Sequence, residues 1–242
     1  MVPVLGRPRT TLRQMDVVLA ADPIVGAATG IRPASRAAKR TVDLLAGVVL
    51  SLVTLPVVAV LAVGATVSFR ATPFFVHERV GRWGRTFRMV KIRSLPVTAP
   101  TATDKYQLAA IANTRFGSWV RRTHLDELPQ LWLVVAGSMS LVGPRPEMPH
   151  LAARFSDAQR VARDPFRPGC VGLWQNSEHN AGLMYETPEY DLVYAANQSF
   201  ALDLYVLRTA ARMEFGGGRL RLHDIPAKLV PNGSLTVARP DR

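Results

Sequence analysis

From Leu44 to Val67, "LLAGVVLSLVTLPVVAVLAVGATV", the chain runs for 24 residues without a charged side chain. At about 1.5 Å of rise per residue, a helix of that length matches the roughly 30 Å of hydrocarbon in a bilayer. The pattern predicts a membrane anchor over residues 36–69. Pro56 stands near its middle, where a missing N–H and the ring predict a bend. The hydroxyls of Ser51 and Thr54 are close enough in sequence to serve the carbonyl freed near Leu52. Both flanks are basic: Arg32, Arg36, Lys39 and Arg40 come before, and Arg70, Arg79, Arg82, Arg85 and Arg88 follow. Positive charge favours the cytoplasmic side. A re-entrant segment, which turns at Pro56 and leaves on the side it entered, therefore suits both flanks better than a straight crossing. The segment starts too far along the chain for an ordinary secretory signal.

Outside this run the periodicity changes. Residues 1–35 show no sustained period and predict a flexible arm, with no room for further spans or an added soluble domain. "FFVHERVGRWGRTFRMVKIRSL", Phe74 to Leu95, predicts two short strands around a turn carrying Gly81 and Gly84. A Pro/Thr/Ala loop follows at 96–103. Leu108, Ile111, Phe116 and Trp119 recur at helical spacing over 106–120. Thr123 and Asp126 fit a capping pattern that opens the next helix, with Pro129 close to its start. "GSMSLVGPRPE" ends that helix in a Gly/Pro loop. A polar helix over 151–163, a turn at "RPGCVG" and an amphipathic helix over 187–214 complete a domain-sized region over 70–215. "GGG" at 216–218 opens a basic tail, predicted to be unstructured through 242. The fold class that results is α+β, mostly helical and membrane-associated, with a small β-hairpin.

Composition narrows the partners. The net charge is +12 and the pI is near 10.9, which calls for an anionic partner. A single cysteine, Cys170, excludes an internal disulfide, and its simplest role is a small core residue. The five histidines have no zinc-ligand spacing.

Against this basic background, "RRTHLDELPQLW" sets Asp126 beside Glu127. Carboxylates in a first helical turn are stabilised by unpaired N–H groups, and any helix benefits from them. An ionised pair can also supply a nucleophile and a Mg²⁺ ligand. The surroundings favour the second role. Arg145 lies in a rigid Pro-Arg-Pro, and its fork of donors suits phosphate oxygens. Lys91 and Arg93, two apart on a strand, share a face. Cations around an acidic pair suit phosphoryl chemistry on an anionic substrate. "GRWG" lacks the form of a nucleotide-binding loop and reads as a strand turn. Arg82, Arg85 and Arg88 fit a solvated or lipid-headgroup role better than a catalytic one. Trp174-Gln175 can stack on or bond to a base or sugar, and a core tryptophan explains Trp174 equally well.

These pieces, taken in order with "KRTVDL", "MSLVGPRPEMP", "RPGCVGLWQ" and "QSFALDLYVLRT", resemble the bacterial sugar transferase family of small monotopic phosphoglycosyl transferases. The resemblance covers about Lys39 to Met213. It implies transfer of a sugar phosphate from a UDP-sugar to a polyprenyl phosphate at the cytoplasmic face of the bacterial inner membrane. UMP leaves, and glycoconjugate or exopolysaccharide synthesis begins. It also implies that Asp126 is the nucleophile and that Glu127 helps hold Mg²⁺. Arg145, Lys91 and Arg93 would bind phosphate, and Arg79 and Gln175 would line the substrate site. Membrane lipid and a second copy of the chain are the further partners, and nucleic acid is not expected. His77, His124, Leu133 and Ser138 depart from residues common in the family. A membrane-tethered nucleic-acid-binding protein would use the same arginines but gives no reason for the acidic pair. A catalytically idle scaffold would not need the dyad and Arg145 together.

Overall fold

The computed structural model describes residues 33–100 and 111–231. The predicted arm before Pro33 and the first part of the helix predicted over 106–120 lie outside them. Helix α1, Pro33–Phe69, is continuous over 37 residues and keeps Pro56 inside it. Thr54 donates its hydroxyl to the Leu50 carbonyl at 2.7 Å, not to Leu52, and the Ser51 oxygen is buried without a partner. The side-chain help expected at the proline is thus not formed.

One stripe of α1 faces the rest of the chain. Asp43, Gly47, Val58, Leu61 and Ala65 are buried along it. Leu45, Val49, Leu52, Val53, Val60, Val63 and Val67 are exposed on the remaining surface. Leaving so many large apolar side chains in water would be unfavourable at about 1.5–3 kcal/mol each, so this surface belongs against lipid. Among the described residues α1 is the one helix long and apolar enough to cross a membrane.

Strands β1, Phe74–Val80, and β2, Thr86–Ile92, form the predicted antiparallel hairpin, with Phe75 opposite Lys91 and His77 opposite Met89. Alternation divides its side chains. Ile92 packs with Val58, Leu61 and Ala65 of the anchor and with Val120, while Phe75, His77, Arg79 and Lys91 turn to the opposite face.

Helix α2, Arg115–Arg122, starts at Thr114, whose hydroxyl accepts from Gly117 N at 3.0 Å. Thr123 does not open the next helix as its spacing predicts. His124 takes a left-handed backbone (φ 54°) that breaks the chain there, and the Thr123 hydroxyl donates back to the carbonyls of Trp119 and Val120. A single 3₁₀ turn, Leu125–Glu127, then leads to helix α3, Gln130–Ala136.

The stretch predicted as a Gly/Pro loop contains a strand, β3 (Ser140–Val142). Helix α4 (Pro149–Ala152) follows, and α5 (Asp157–Arg163) starts afresh at the Ser156 capping box, so the predicted 151–163 helix is two. The "RPGCVG" turn contains β4, Gly169–Val171, which pairs in parallel with β3. A short helix α6, Leu173–Asn176, comes next. The predicted helix over 187–214 is likewise two: α7 (Glu189–Asn197) and α8 (Phe200–Glu214). Gln198 is extended between them, and Ser199 caps α8 by accepting from Leu202 N at 3.2 Å.

The principal core gathers Val142, Leu173, Trp174, Tyr190, Tyr194, Leu202 and Val206. Leu220, Ile225 and Val230 are buried in the same cluster. The segment after Gly216, expected to be unstructured, therefore folds onto the core through residue 230, because its apolar residues cap the surface that α6 and α8 leave open.

Candidate active site

Beneath the hairpin lies a cavity of about 830 Å³. The face of β1 and β2 turned away from the anchor supplies Phe75, His77, Arg79 and Lys91 to it. The 3₁₀ turn supplies Asp126 and Glu127, the loop after β3 supplies Arg145, and α6 supplies Trp174 and Gln175.

Asp126 is buried (6% exposed), and Ser94 donates its hydroxyl to Oδ2 at 3.3 Å. Ser94 is held in turn by Asn113, whose Nδ2 donates to the Ser94 carbonyl at 2.9 Å. Gly117 sits so close that an added Cβ would lie 2.6 Å from that carbonyl oxygen. Lys91 Nζ donates to Glu127 Oε1 at 2.6 Å. These surroundings split the two acids. Burial raises the Asp126 carboxyl above the ordinary carboxylate range; Lys91 opposes this and the Glu127 charge adds to it. Burial acts the same way on Glu127, but Lys91 and Arg145 outweigh it and hold that carboxyl down at about 2.

The loop that carries Arg145 is fixed along its backbone. Gly143 N donates to Val171 O at 3.0 Å, Gly169 N to Pro144 O at 2.9 Å, and Arg163 to the Arg145 carbonyl. Arg163 also pairs with buried Asp191. A Cβ on Gly169 would come within 2.1 Å of Gly143 N, so the two short strands meet only through glycine. The Arg145 guanidinium carbon lies 5.9 Å from the centre of the Trp174 ring. Trp174 itself is a core residue whose Nε1 donates to Thr187 Oγ1 at 2.8 Å.

Among the sequence candidates, Asp126, Glu127, Lys91 and Arg145 converge most closely. Arg79 lines the same cavity but is 8% exposed and paired with Glu147 at 3.0 Å, so its charge is already matched. Arg93 reaches the rim, but its Nε and Nη2 donate to the Thr72 carbonyl and hydroxyl and to the Phe74 carbonyl, which ties the anchor's exit to β1. Gln175 points its buried Oε1 at no protein partner. Ser94, Asn113 and Glu147 escaped sequence reasoning, since single small polar residues carry no spacing signal. His77 stands out in the sequence only as a departure from a residue common in the family. Its Nε2 is buried without a partner, and burial together with Arg79, Lys91 and Arg145 lowers the ring to about 3.

Residues 34–216 match the family model described as bacterial sugar transferase. The chain belongs to the bacterial sugar transferase family. It is 38% identical over 193 residues to a UDP-galactose-lipid carrier transferase of Erwinia amylovora, covering 72% of this chain and 39% of that one. It is 37% identical over 175 residues to a UDP-glucose:undecaprenyl-phosphate glucose-1-phosphate transferase of Xanthomonas campestris pv. campestris, covering 65% and 35%. Identity is 32% over 195 residues to the exopolysaccharide production protein ExoY of Sinorhizobium fredii, covering 73% and 85%. The chain thus spans under two fifths of the length of the first two relatives and most of the third. Within this bacterial sugar transferase, the matched residues include α1 from Ala34 onward, the hairpin and every residue of the cavity named above.

Proposed function

We propose that this chain is a phosphoglycosyl transferase that moves a sugar phosphate from a UDP-sugar to a polyprenyl phosphate. The observation that carries the reading is the buried Asp126 beside a Lys91-paired Glu127, facing Arg145 in one cavity, on a domain packed against an apolar helix. The names of the Erwinia and Xanthomonas relatives describe the same type of donor and carrier.

In the first step, an oxygen of the Asp126 carboxylate attacks the β-phosphorus of the donor. The bond from that phosphorus to the bridging oxygen breaks, and UMP leaves with the electron pair. Lys91 and Arg145 are placed to offset charge on the phosphoryl oxygens. In the second step, a phosphate oxygen of the polyprenyl carrier attacks the same phosphorus, and the Asp126 carboxylate is released unchanged. Ser94 holds Oδ2, which leaves Oδ1 to react. Splitting the transfer in this way replaces one difficult displacement with two easier ones.

Mg²⁺ suits the donors present. No group of three or more acids, histidines or cysteines could cage a metal among the described residues. Two neighbouring carboxylates fit an ion that keeps waters and takes its other ligands from a diphosphate. Glu127, with Oε1 held by Lys91, would present Oε2 to it, and the ion would supply charge neutralisation on the diphosphate.

The anchor geometry proposed with this function is re-entrant, placing the domain on the cytoplasmic face of the inner membrane. Both ends of α1 touch the same domain. Arg40 donates to the carbonyls of Val134 and Val135 near one end, and an added Cβ on Gly64 would lie 2.6 Å from the Phe116 ring near the other. A crossing helix would have to separate those two contacts by a bilayer.

The test is nucleotide release from UDP-sugars by the purified protein with polyprenyl phosphate and Mg²⁺. UMP release that disappears in Asp126→Asn and in EDTA is the expected result. Release of UDP would replace the reading with simple glycosyl transfer, and no release from any donor would favour an idle scaffold.

A further inference from the structure

The tip of the β-hairpin takes no part in this chemistry, yet it is built with care. Trp83 holds φ 59° and ψ 32°, a left-handed conformation that is unfavourable for a bulky residue. Its side chain is nevertheless held outward, with the residue 53% exposed. Two contacts fix the tip: Trp83 N donates to Asp164 O at 2.9 Å, and Arg82 Nε donates to Pro165 O at 3.0 Å. The Arg82 guanidinium carbon sits 5.1 Å from the Trp83 ring centre.

Behind the tip stands a group of arginines. Arg167 Nε donates to Gly137 O at 2.7 Å, and Arg40 Nη2 lies 3.3 Å from where a Cβ of the same glycine would be. Arg40 and Arg167 together cover the C-terminal carbonyls of α3. Arg36 is one turn before Arg40 on α1. Arg36, Arg82 and Arg167 have no carboxylate within ion-pair distance among the described residues. Asp43, the acid that acts on Arg167, is itself occupied by Ser140 and Leu141. On Asp164 it is the charges of Arg163 and Arg160 that act. Burial lowers Arg82, and the charges of Arg167 and Arg36 lower it further, so Arg82 stands in the positive field of both.

We propose that Trp83, Arg36, Arg82 and Arg167 form an interfacial site for anionic phospholipid headgroups beside the N-terminal end of the anchor. Unneutralised guanidinium groups attract phosphate, and a tryptophan held outward next to them suits the boundary between headgroups and acyl chains. The exposed apolar surface of α1 requires a bilayer, and Arg36 opens that helix, so headgroups lie at this level. A soluble phosphate or an acidic protein would satisfy the arginines but would leave the strained, exposed ring without a purpose. The site depends on α1 being in a membrane and not on the transfer reaction.

The test uses the full chain in nanodiscs of phosphatidylcholine, with or without phosphatidylglycerol. A fluorophore is attached at Arg85→Cys in a Cys170→Ser background, with Trp83 intact, and quenched by lipid spin-labelled at the headgroup. Strong quenching is expected with phosphatidylglycerol. It should fall severalfold at high salt and in Arg36→Gln/Arg82→Gln. Among the described residues the Arg36 side chain makes no hydrogen bond, so Arg36→Gln alone should lower the phosphatidylglycerol dependence without changing thermal stability. A probe unquenched in both compositions would place the tip in water and overturn the site. Quenching indifferent to phosphatidylglycerol and to Arg36→Gln would leave an apolar contact only and overturn the anionic assignment.

Discussion

Asp126 and Glu127 are neighbours in the chain with opposite electrostatic fates: burial raises the first, whereas Lys91 and Arg145 hold the second down. Lys91 reaches Glu127, while Ser94 reaches Asp126. Separating two carboxyls by environment is how one site obtains two roles from one residue type. Asp126→Asn should lower phosphosugar transfer by about a thousandfold or more while leaving donor binding measurable by calorimetry. His77 gives a stability signature. Its ring titrates near 3 in the folded chain against 6.5 unfolded. The folded state therefore favours the neutral ring, a contribution fully present above 6.5 and lost as pH falls from there toward 3. His77→Gln should flatten that acid loss by roughly 2 kcal/mol, less than the full shift because the ring is partly exposed; thermal melts at stepped pH would show it. Burial pushes the Cys170 thiol up to about 12. Its alkylation at neutral pH should be about a hundredfold or more slower than for free cysteine. Matching rates would mean that the cavity wall opens. Motif residues were legible here because a lysine, an arginine and two acids have a spacing to read. Ser94 acts through a hydrogen bond across 32 residues and Asn113 through one across 19, and no local pattern records either.

Among the elements, the strongest periodic signals were right about existence and weaker about extent. The anchor and the hairpin follow from an uncharged run and from alternation around two glycines. The helices predicted over 151–163 and 187–214 were each divided by a serine cap, a signal present in the sequence at Ser156 and Ser199. Neither break carries a glycine or proline, the stronger marks of a helix end. Strands β3 and β4, three residues each, are too short for any period to show and exist because Gly143 and Gly169 let their backbones meet. The cap at Ser199 should be worth about 1 kcal/mol, so Ser199→Ala should lower the melting temperature by a few degrees. Asp43 joins elements instead of ending one: it accepts from Ser140 Oγ at 2.7 Å and from Leu141 N at 3.1 Å, with Lys39 bridging on to Asp203 at 2.7 Å. Asp43→Ala strands the Leu141 N–H and leaves the Ser140 hydroxyl only the Val142 carbonyl at 2.9 Å, and should cost about 2–4 kcal/mol. An unchanged melt would show that water replaces it.

At the level of the whole molecule, the basic excess agrees with the anionic substrates proposed above, but it does not indicate how the segment after Gly216 is used. Glycines at 216–218 marked the last segment as loose, whereas Leu220, Ile225 and Val230 are 3–4% exposed. Ending the chain after Gly216 removes three buried apolar side chains and should destabilise it by about 4–8 kcal/mol as an upper range. Recovery of folded protein from such a truncation would refute that placement. For the anchor, single cysteines at positions 36 and 70 in a Cys170→Ser background should react with a membrane-impermeant reagent from the same side. Labelling from opposite sides would refute re-entry.

The stripe of α1 that faces the domain has a practical corollary. Ile92 and Val120 are covered by Val58, Leu61 and Ala65. A protease that cut after Phe69 would therefore not liberate a water-soluble enzyme. It would leave an open apolar wound on the domain, and the fragment would precipitate or seek detergent. For this chain the apolar helix supplies part of a hydrophobic core as well as a surface for lipid, so recovery of the folded domain should require an amphiphile.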